Sequence, residues 1–296
     1  MTAAREAALP VLALLFNALM WGLSWLPFKA LHGHGVHPLW ATVLVYIVVL
    51  ALFMAWRPRV LAEAARHPAL LWLALAAGLT NVCFNWAVTV GDVVRVVLLF
   101  YLMPAWAVLL AWALAGERPT AGALVRLALA LAGVTLVLKK PGMTWPWPSG
   151  VADALALAGG FFFALTSVLL RRWRATPAHA RALAMFGGGA LVAGGVAMAG
   201  LAGGWVPAFA PLSSPAEWLP WATGLALAFL SGNLALQYGA ARLPAQVTSL
   251  IMLSEVVFAS FSAVLLHAAT LAPRTLLGGA LILTAALLAV TTRRTG

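Results

Sequence analysis

Glu255 stands inside a long apolar stretch. It falls about 10 residues, or roughly 15 Å at the helical rise, into a segment read as the ninth membrane span, near the bilayer midplane. Ionisable groups inside lipid are costly and ask for an explanation. A carboxylate at that depth can bind a proton or a substrate ammonium. The alternative is a hydrogen-bonded structural Glu where two repeats meet, and the sequence leaves both open. Polar and aromatic residues recur on other apolar stretches. Asn17, Trp21, Ser24 and Trp25 share one helical face, as do Asn81, Asn85 and Thr89, with Trp86 beside them. Tyr101 and Pro104 lie in a fourth span; Asn233, Gln237 and Tyr238 lie in an eighth. Such a set can take the ammonium and carboxylate of a zwitterion while stacking on an apolar side chain. Each amide alone reads equally as glue between membrane helices.

Pro27, Pro104 and Pro244 stand in or at the ends of these spans, where a missing backbone N–H permits a kink. They are either hinges or fixed bends. His32, His34 and His37 crowd the first outer loop without a Cys or acid nearby, so they read as a solvated loop and no metal is expected. Asp92 and Arg95 sit at an outer mouth and Asp153 near the outer start of span six; a local ion pair is the default for them. No HExxH, no G-x-S-x-G and no pair of membrane Asp residues occurs, which argues against an intramembrane enzyme. No Walker-type phosphate loop occurs either, so ATP is not the direct fuel and no cofactor is expected. A channel is disfavoured as well, because channels are usually symmetric oligomers around a shared filter.

The elements that must position these groups follow from composition. Of the 296 residues, 64% are hydrophobic and 8% charged, against roughly 25% charged in ordinary globular domains. Lipid accommodates helices that are apolar all round. The expected class is an all-α polytopic membrane protein with spans at 9–29, 38–56, 69–90, 94–115, 121–138, 150–170, 181–203, 217–240, 245–267 and 273–291. The first run is too long for a signal core and lacks a cleavage site, so it reads as a retained span. The net charge of +11 is spread between apolar blocks and forms no basic face, so no nucleic-acid partner is expected. With the N-terminus inside, thirteen basic residues fall on the inner side: Arg5, Arg57, Arg59, Arg66, Arg118, Arg126, Arg171, Arg172, Arg174, Arg181, Arg242, Arg293 and Arg294. Five fall outside: Lys29, Arg95, Lys139, Lys140 and Arg274. The positive-inside rule then puts both termini in the cytoplasm and requires an even number of spans. Lys139-Lys140 is the main violation, and Trp145 and Trp147 follow it as an interfacial belt. The lone Cys83 reads as a small core residue, and the Gly-rich seventh span as close helix packing.

The two halves, 1–140 and 141–296, repeat. Leu102-Met103-Pro104 with Trp106 matches Leu253-Ser254-Glu255 with Phe258 at an offset of 151, and Trp21-Gly22 matches Phe163-Ala164 at 142, which adds Phe163 to the candidate substrate residues. Five spans per half force the second copy to insert upside down, an inverted repeat.

Trp21-Gly22, the Tyr101-Leu102-Met103-Pro104 turn, Gly116-Glu117-Arg118-Pro119-Thr120 and Gly133-Val134 resemble, in this order, the drug/metabolite transporter superfamily and its EamA-type repeat. The resemblance covers nearly the whole chain and is narrowest to YddG-type aromatic amino-acid exporters. It implies a bacterial inner-membrane exporter of amino acids, aromatic or broadly hydrophobic, or of another metabolite or drug. Such a protein works as a monomer in the lipid bilayer, by alternating access through a central cavity between spans one, three, four, six, eight and nine. The second copy departs from the pattern, with His267-Ala268 where Gly-Glu is expected, so no role is carried over to Glu117.

Overall fold

The computed structural model describes residues 2–115, 120–139, 148–173, 175–209, 215–240, 242, 251–252, 254–269 and 272–291. Pro244, Glu117, Trp145 and Trp147 lie outside the described residues, as do the side chains of Pro104 and Gln237. Among the described residues all regular structure is helical, as lipid requires of a chain without a closed barrel.

The first expected span is two helices, α1 (Thr2–Leu23) and α2 (Trp25–Gly33). Pro27, in the first turn of α2, has no N–H for the Leu23 carbonyl four residues back. The helix therefore breaks at Ser24, whose N–H reverts to the Trp21 carbonyl at 3.1 Å. The fourth span is divided in the same way, into α6 (Val93–Phe100) and α7 (Met103–Ala115). Pro104 leaves the Phe100 carbonyl without its usual donor, and Tyr101–Leu102 form the turn between them. Both expected spans, 9–29 and 94–115, are present as apolar stretches, and Pro27 and Pro104 interrupt them as kink-permitting residues.

The other boundaries follow local chemistry. α3 (Pro38–Trp56) opens on Pro at its first position, with the His37 side chain capping the Leu39 N–H at 3.3 Å. A short α4 (Val60–Ala65) crosses the next loop before α5 (Leu70–Val90). Asp92 caps α6 through the Arg95 N–H at 2.8 Å, and Thr120 caps α8 (Ala121–Leu138) through the Ala123 N–H. There follow α9 (Val151–Arg172), α10 (Ala178–Ala202), α11 (Pro215–Ala240), α12 (Ser254–Leu265) and α13 (Pro273–Thr291). Among the described residues eight candidate spans are long and apolar enough to cross a membrane, from Ala8–Gly33 to Ala216–Leu236, and α12 is a shorter apolar helix. Leu71, Trp72, Leu191 and Phe261 project outward from the bundle, as lipid-facing side chains do.

The two halves interleave rather than sit side by side. α5 packs on α9 and α10, α3 on α10 and α11, α8 on α13, α6 and α7 on α9, and α1 on α11 and α12. Glycine sets the closest crossings. A Cβ on Gly188 of α10 would strike the Ala74 carbonyl of α5, and one on Gly78 would strike the Gly188 carbonyl. Gly133 and Gly278 meet reciprocally, each hypothetical Cβ lying 2.6 Å from the other's carbonyl oxygen. The packing expectation for the glycines of α10 holds at Gly188 and Gly189, which face α5 and the Tyr46 ring, but Gly187 and Gly195 face open space.

Gly188→Ala should therefore destabilise the detergent-solubilised protein by about 1–3 kcal/mol through overpacking, read as a lower thermal midpoint. Gly195→Ala should be neutral or slightly stabilising.

Candidate functional site

Four side chains from different segments converge where the two broken spans cross the other half. The Tyr101 hydroxyl, at the turn between α6 and α7, donates toward the Met252 carbonyl and the Glu255 carboxylate, each at 3.3 Å. Asn17 of α1 donates to the Met252 thioether at 3.4 Å. Glu255 lies in the first turn of α12. A Cβ on Gly22 would come within 2.9 Å of the Glu255 carbonyl and 2.8 Å of the Phe258 Cβ, so Glu255 is level with the middle of the Ala8–Gly33 span.

Aromatic rings form the surroundings. Trp21, one turn after Asn17, stacks on Phe229 with centroids 4.5 Å apart and meets the edge of Phe84 at 6.5 Å. One arm continues from Phe84 to Phe100 at 4.7 Å, and from Phe100 to Tyr101 and Phe163. The other runs from Phe229 to Tyr46 at 5.8 Å. The Tyr46 hydroxyl donates to the Asn81 carbonyl at 2.6 Å, and the Asn81 amide donates to the Ala77 carbonyl. Sequence reasoning missed Tyr46, Phe84, Phe100 and Phe229, because a lone aromatic in an apolar run looks like core.

Asn17, Tyr101 and Glu255 are thus brought together around Met252, and Trp21, one turn along α1, begins the aromatic arms that end at Phe163 and Asn81. Others are used elsewhere. Ser24 donates to the Trp21 carbonyl, and the Trp25 indole donates to Ser262 at 3.1 Å, tying α2 to α12. Asn85 is fully buried, donates to Thr42 and leaves its own carbonyl oxygen without a partner. Trp86 belongs to a separate cluster, stacked at 6.0 Å on Trp205 and edged by His37. The Tyr238 ring is covered by the Arg242 guanidinium at 3.8 Å. Asn233 is half-buried on α11.

The charged groups of the expected outer mouth are built in. Arg95 of α6 forms a two-pronged pair with Asp153 of α9, at 2.7 and 2.8 Å, and reaches the Val137 and Leu138 carbonyls at the end of α8. Asp153 also accepts from the backbone and hydroxyl of Ser149, and both charged side chains are largely buried. Lys29 donates to the Gly91 carbonyl at 3.2 Å. In the first loop, burial and the nearby His32 hold His37 below the usual imidazole range, and its Nδ1 serves as the α3 cap. His34 lies 3.7 Å from Glu217.

Residues 8–139 match the EamA-like transporter family. The EamA-like segment runs from α1 to the end of α8 and includes Asn17, Trp21 and Tyr101; Glu255 comes from the rest of the chain. Together with eight candidate spans it describes a multi-pass membrane protein. The fold extends through both halves. One solved crystal structure, 22% identical, covers 96% of this chain and 97% of its own length with a TM-score of 0.57. No curated protein matches the sequence.

Removing one partner of a buried ion pair typically costs about 3–5 kcal/mol. Arg95→Gln or Asp153→Asn alone should each lower the unfolding midpoint. The double variant should lose clearly less than the two single losses combined.

Proposed function

We propose that this protein is a secondary transporter that exports amino acids, aromatic or broadly hydrophobic, across the cytoplasmic membrane by alternating access. The observation that carries the proposal is the pattern of helix contacts. Taking α1–α2, α3, α5, α6–α7 and α8 as five spans and α9 to α13 as five more, exchanging the halves maps each main contact onto another. The α5–α9 contact maps onto α11–α1, and α6/α7–α9 maps onto α12–α1. The α5–α10 contact maps onto α11–α3, while α3–α10 and α8–α13 map onto themselves. Two such halves rock about a shared centre in inverted-repeat transporters.

The sequence supports the same pairing. Asn81-x-x-x-Asn85-Trp86 has the counterpart Asn233-x-x-x-Gln237-Tyr238, 152 positions on. Tyr101 donates to the carbonyl of Met252, its own counterpart 151 positions on, as residues beside a pseudo-twofold axis do. The solute sits, in this reading, where Asn17, Trp21, Tyr101 and Glu255 meet. The aromatic arms receive its side chain.

Topology follows the charge count, with ten spans and both termini in the cytoplasm. Cys83 is buried, so introduced cysteines report without much background. Gly33→Cys should react with an impermeant maleimide added outside intact cells, and Arg66→Cys only after permeabilisation; the reverse pattern inverts the topology.

The function itself is tested by counterflow. Liposomes holding the purified protein and unlabelled phenylalanine should accumulate labelled phenylalanine saturably, and Glu255→Gln should slow this at least about tenfold, on the scale of one lost ionic contact. If no amino acid exchanges with another, the substrate assignment is wrong.

A further inference from the structure

We infer that this central site recognises its solute by a protonated amine, and that a carboxylate on the solute is not required. The inference rests on the transporter reading and concerns the substrate class of the same site. It comes from counting donors and acceptors. Asn17 is completely buried, and its side-chain carbonyl oxygen has no hydrogen-bond partner. Its amide is spent on a thioether, a weak acceptor. A buried carbonyl left without a donor costs about 1–3 kcal/mol, so its position calls for a donor that arrives from outside the chain.

The neighbours repeat the same imbalance. Glu255 offers a carboxylate and Met252 a backbone carbonyl, and among the described residues the Tyr101 hydroxyl is the side-chain donor they share, at 3.3 Å each. Among the described residues Glu255 has no basic partner, whereas Asp153 has Arg95 and Ser149. The nearest spanning cations are committed elsewhere. Lys29 lies seven residues beyond Gly22 and bonds the Gly91 carbonyl; Arg95 lies six residues before Tyr101 and bonds Asp153. At the helical rise they are about 9–11 Å further along the bundle. A solute ammonium reaching Asn17 and Glu255 would supply donors to the Asn17 side-chain oxygen and to the Glu255 carboxylate. A solute carboxylate in that place would face oxygen atoms, with no cation among the described side chains that touch the site to receive it.

Competition binding on the intact protein in lipid nanodiscs tests this, with labelled tryptamine as the probe. Tryptamine and tryptophan methyl ester should displace the label at concentrations at least tenfold lower than indole-3-propionate, which keeps the ring and the carboxylate but lacks the amine. Glu255→Gln should weaken tryptamine at least tenfold. Asn17→Leu should weaken it likewise, while Asn17→Asp, which keeps an acceptor, should retain binding. Thermal midpoints of the variants show whether each is folded, and the Asn17→Asp result stands independently of any fold loss at Glu255→Gln. Indole-3-propionate competing as well as tryptamine would overturn the inference, as would unchanged tryptamine affinity in folded Glu255→Gln. The transporter reading fails separately. If tryptamine binds as expected but no solute crosses in counterflow, the site stands and transport falls. If phenylalanine exchanges but tryptamine does not compete, transport stands and the amine rule falls.

Discussion

In hydrocarbon a backbone carbonyl has no water to turn to, so each interruption of a spanning helix must be covered by protein. Two of the spans are interrupted by proline, and beside each break a glycine brings the chain into close contact with the other half. A Cβ on Gly160 of α9 would sit 2.6 Å from the Phe100 carbonyl that Pro104 leaves open. Gly22, just before the break at Ser24, lies against the Glu255 backbone. The two breaks therefore lie at points where the halves touch. That contact in turn brings Asn17, Tyr101 and Glu255 together from three remote stretches of chain.

The two interior acids show what this arrangement separates. Asp153 has four hydrogen bonds from Arg95 and Ser149, and its charge is answered within the protein. Glu255 has the shared hydroxyl of Tyr101. Both residues are carboxylates in apolar surroundings, yet one is consumed by architecture and the other is left with capacity. A rigid frame and a responsive centre thus stand in the same small bundle, built from the same functional group under different satisfaction.

Span positions were legible in the sequence because apolar length and charge spacing are one-dimensional signals. α3 and α13 fall where composition puts them, and the stripe of Asn17 and Trp21 does share a face. What failed was information about depth and neighbours. The spacing of Asn81, Asn85 and Trp86 fixes their direction around α5, but not that Trp86 reaches the Trp205 cluster while Asn81 faces Tyr46. Pro27 marks a bend, yet the break lies at Ser24, because the hydrogen bond that proline deletes belongs to a carbonyl four residues earlier. The partner of Arg95 is 58 residues away, across the boundary of the halves, and no local rule connects it to Asp153. The counterpart of Asn81 at Asn233 was visible in the sequence and would have pointed to the paired spans.

The Arg95–Asp153 clasp also bears on how such a chain can have arisen. A protein that stopped at Leu138 would keep Arg95 and the carbonyls it grips but would lose the acid that neutralises it. A second identical copy would not replace that acid: at the 142-residue offset the position of Asp153 is occupied by Val11. Two equal halves therefore cannot close this end of the bundle, whereas two diverged ones can. With the base before the chain's midpoint and the acid after it, the two stretches are complementary parts, and one continuous chain holds them in the required one-to-one ratio.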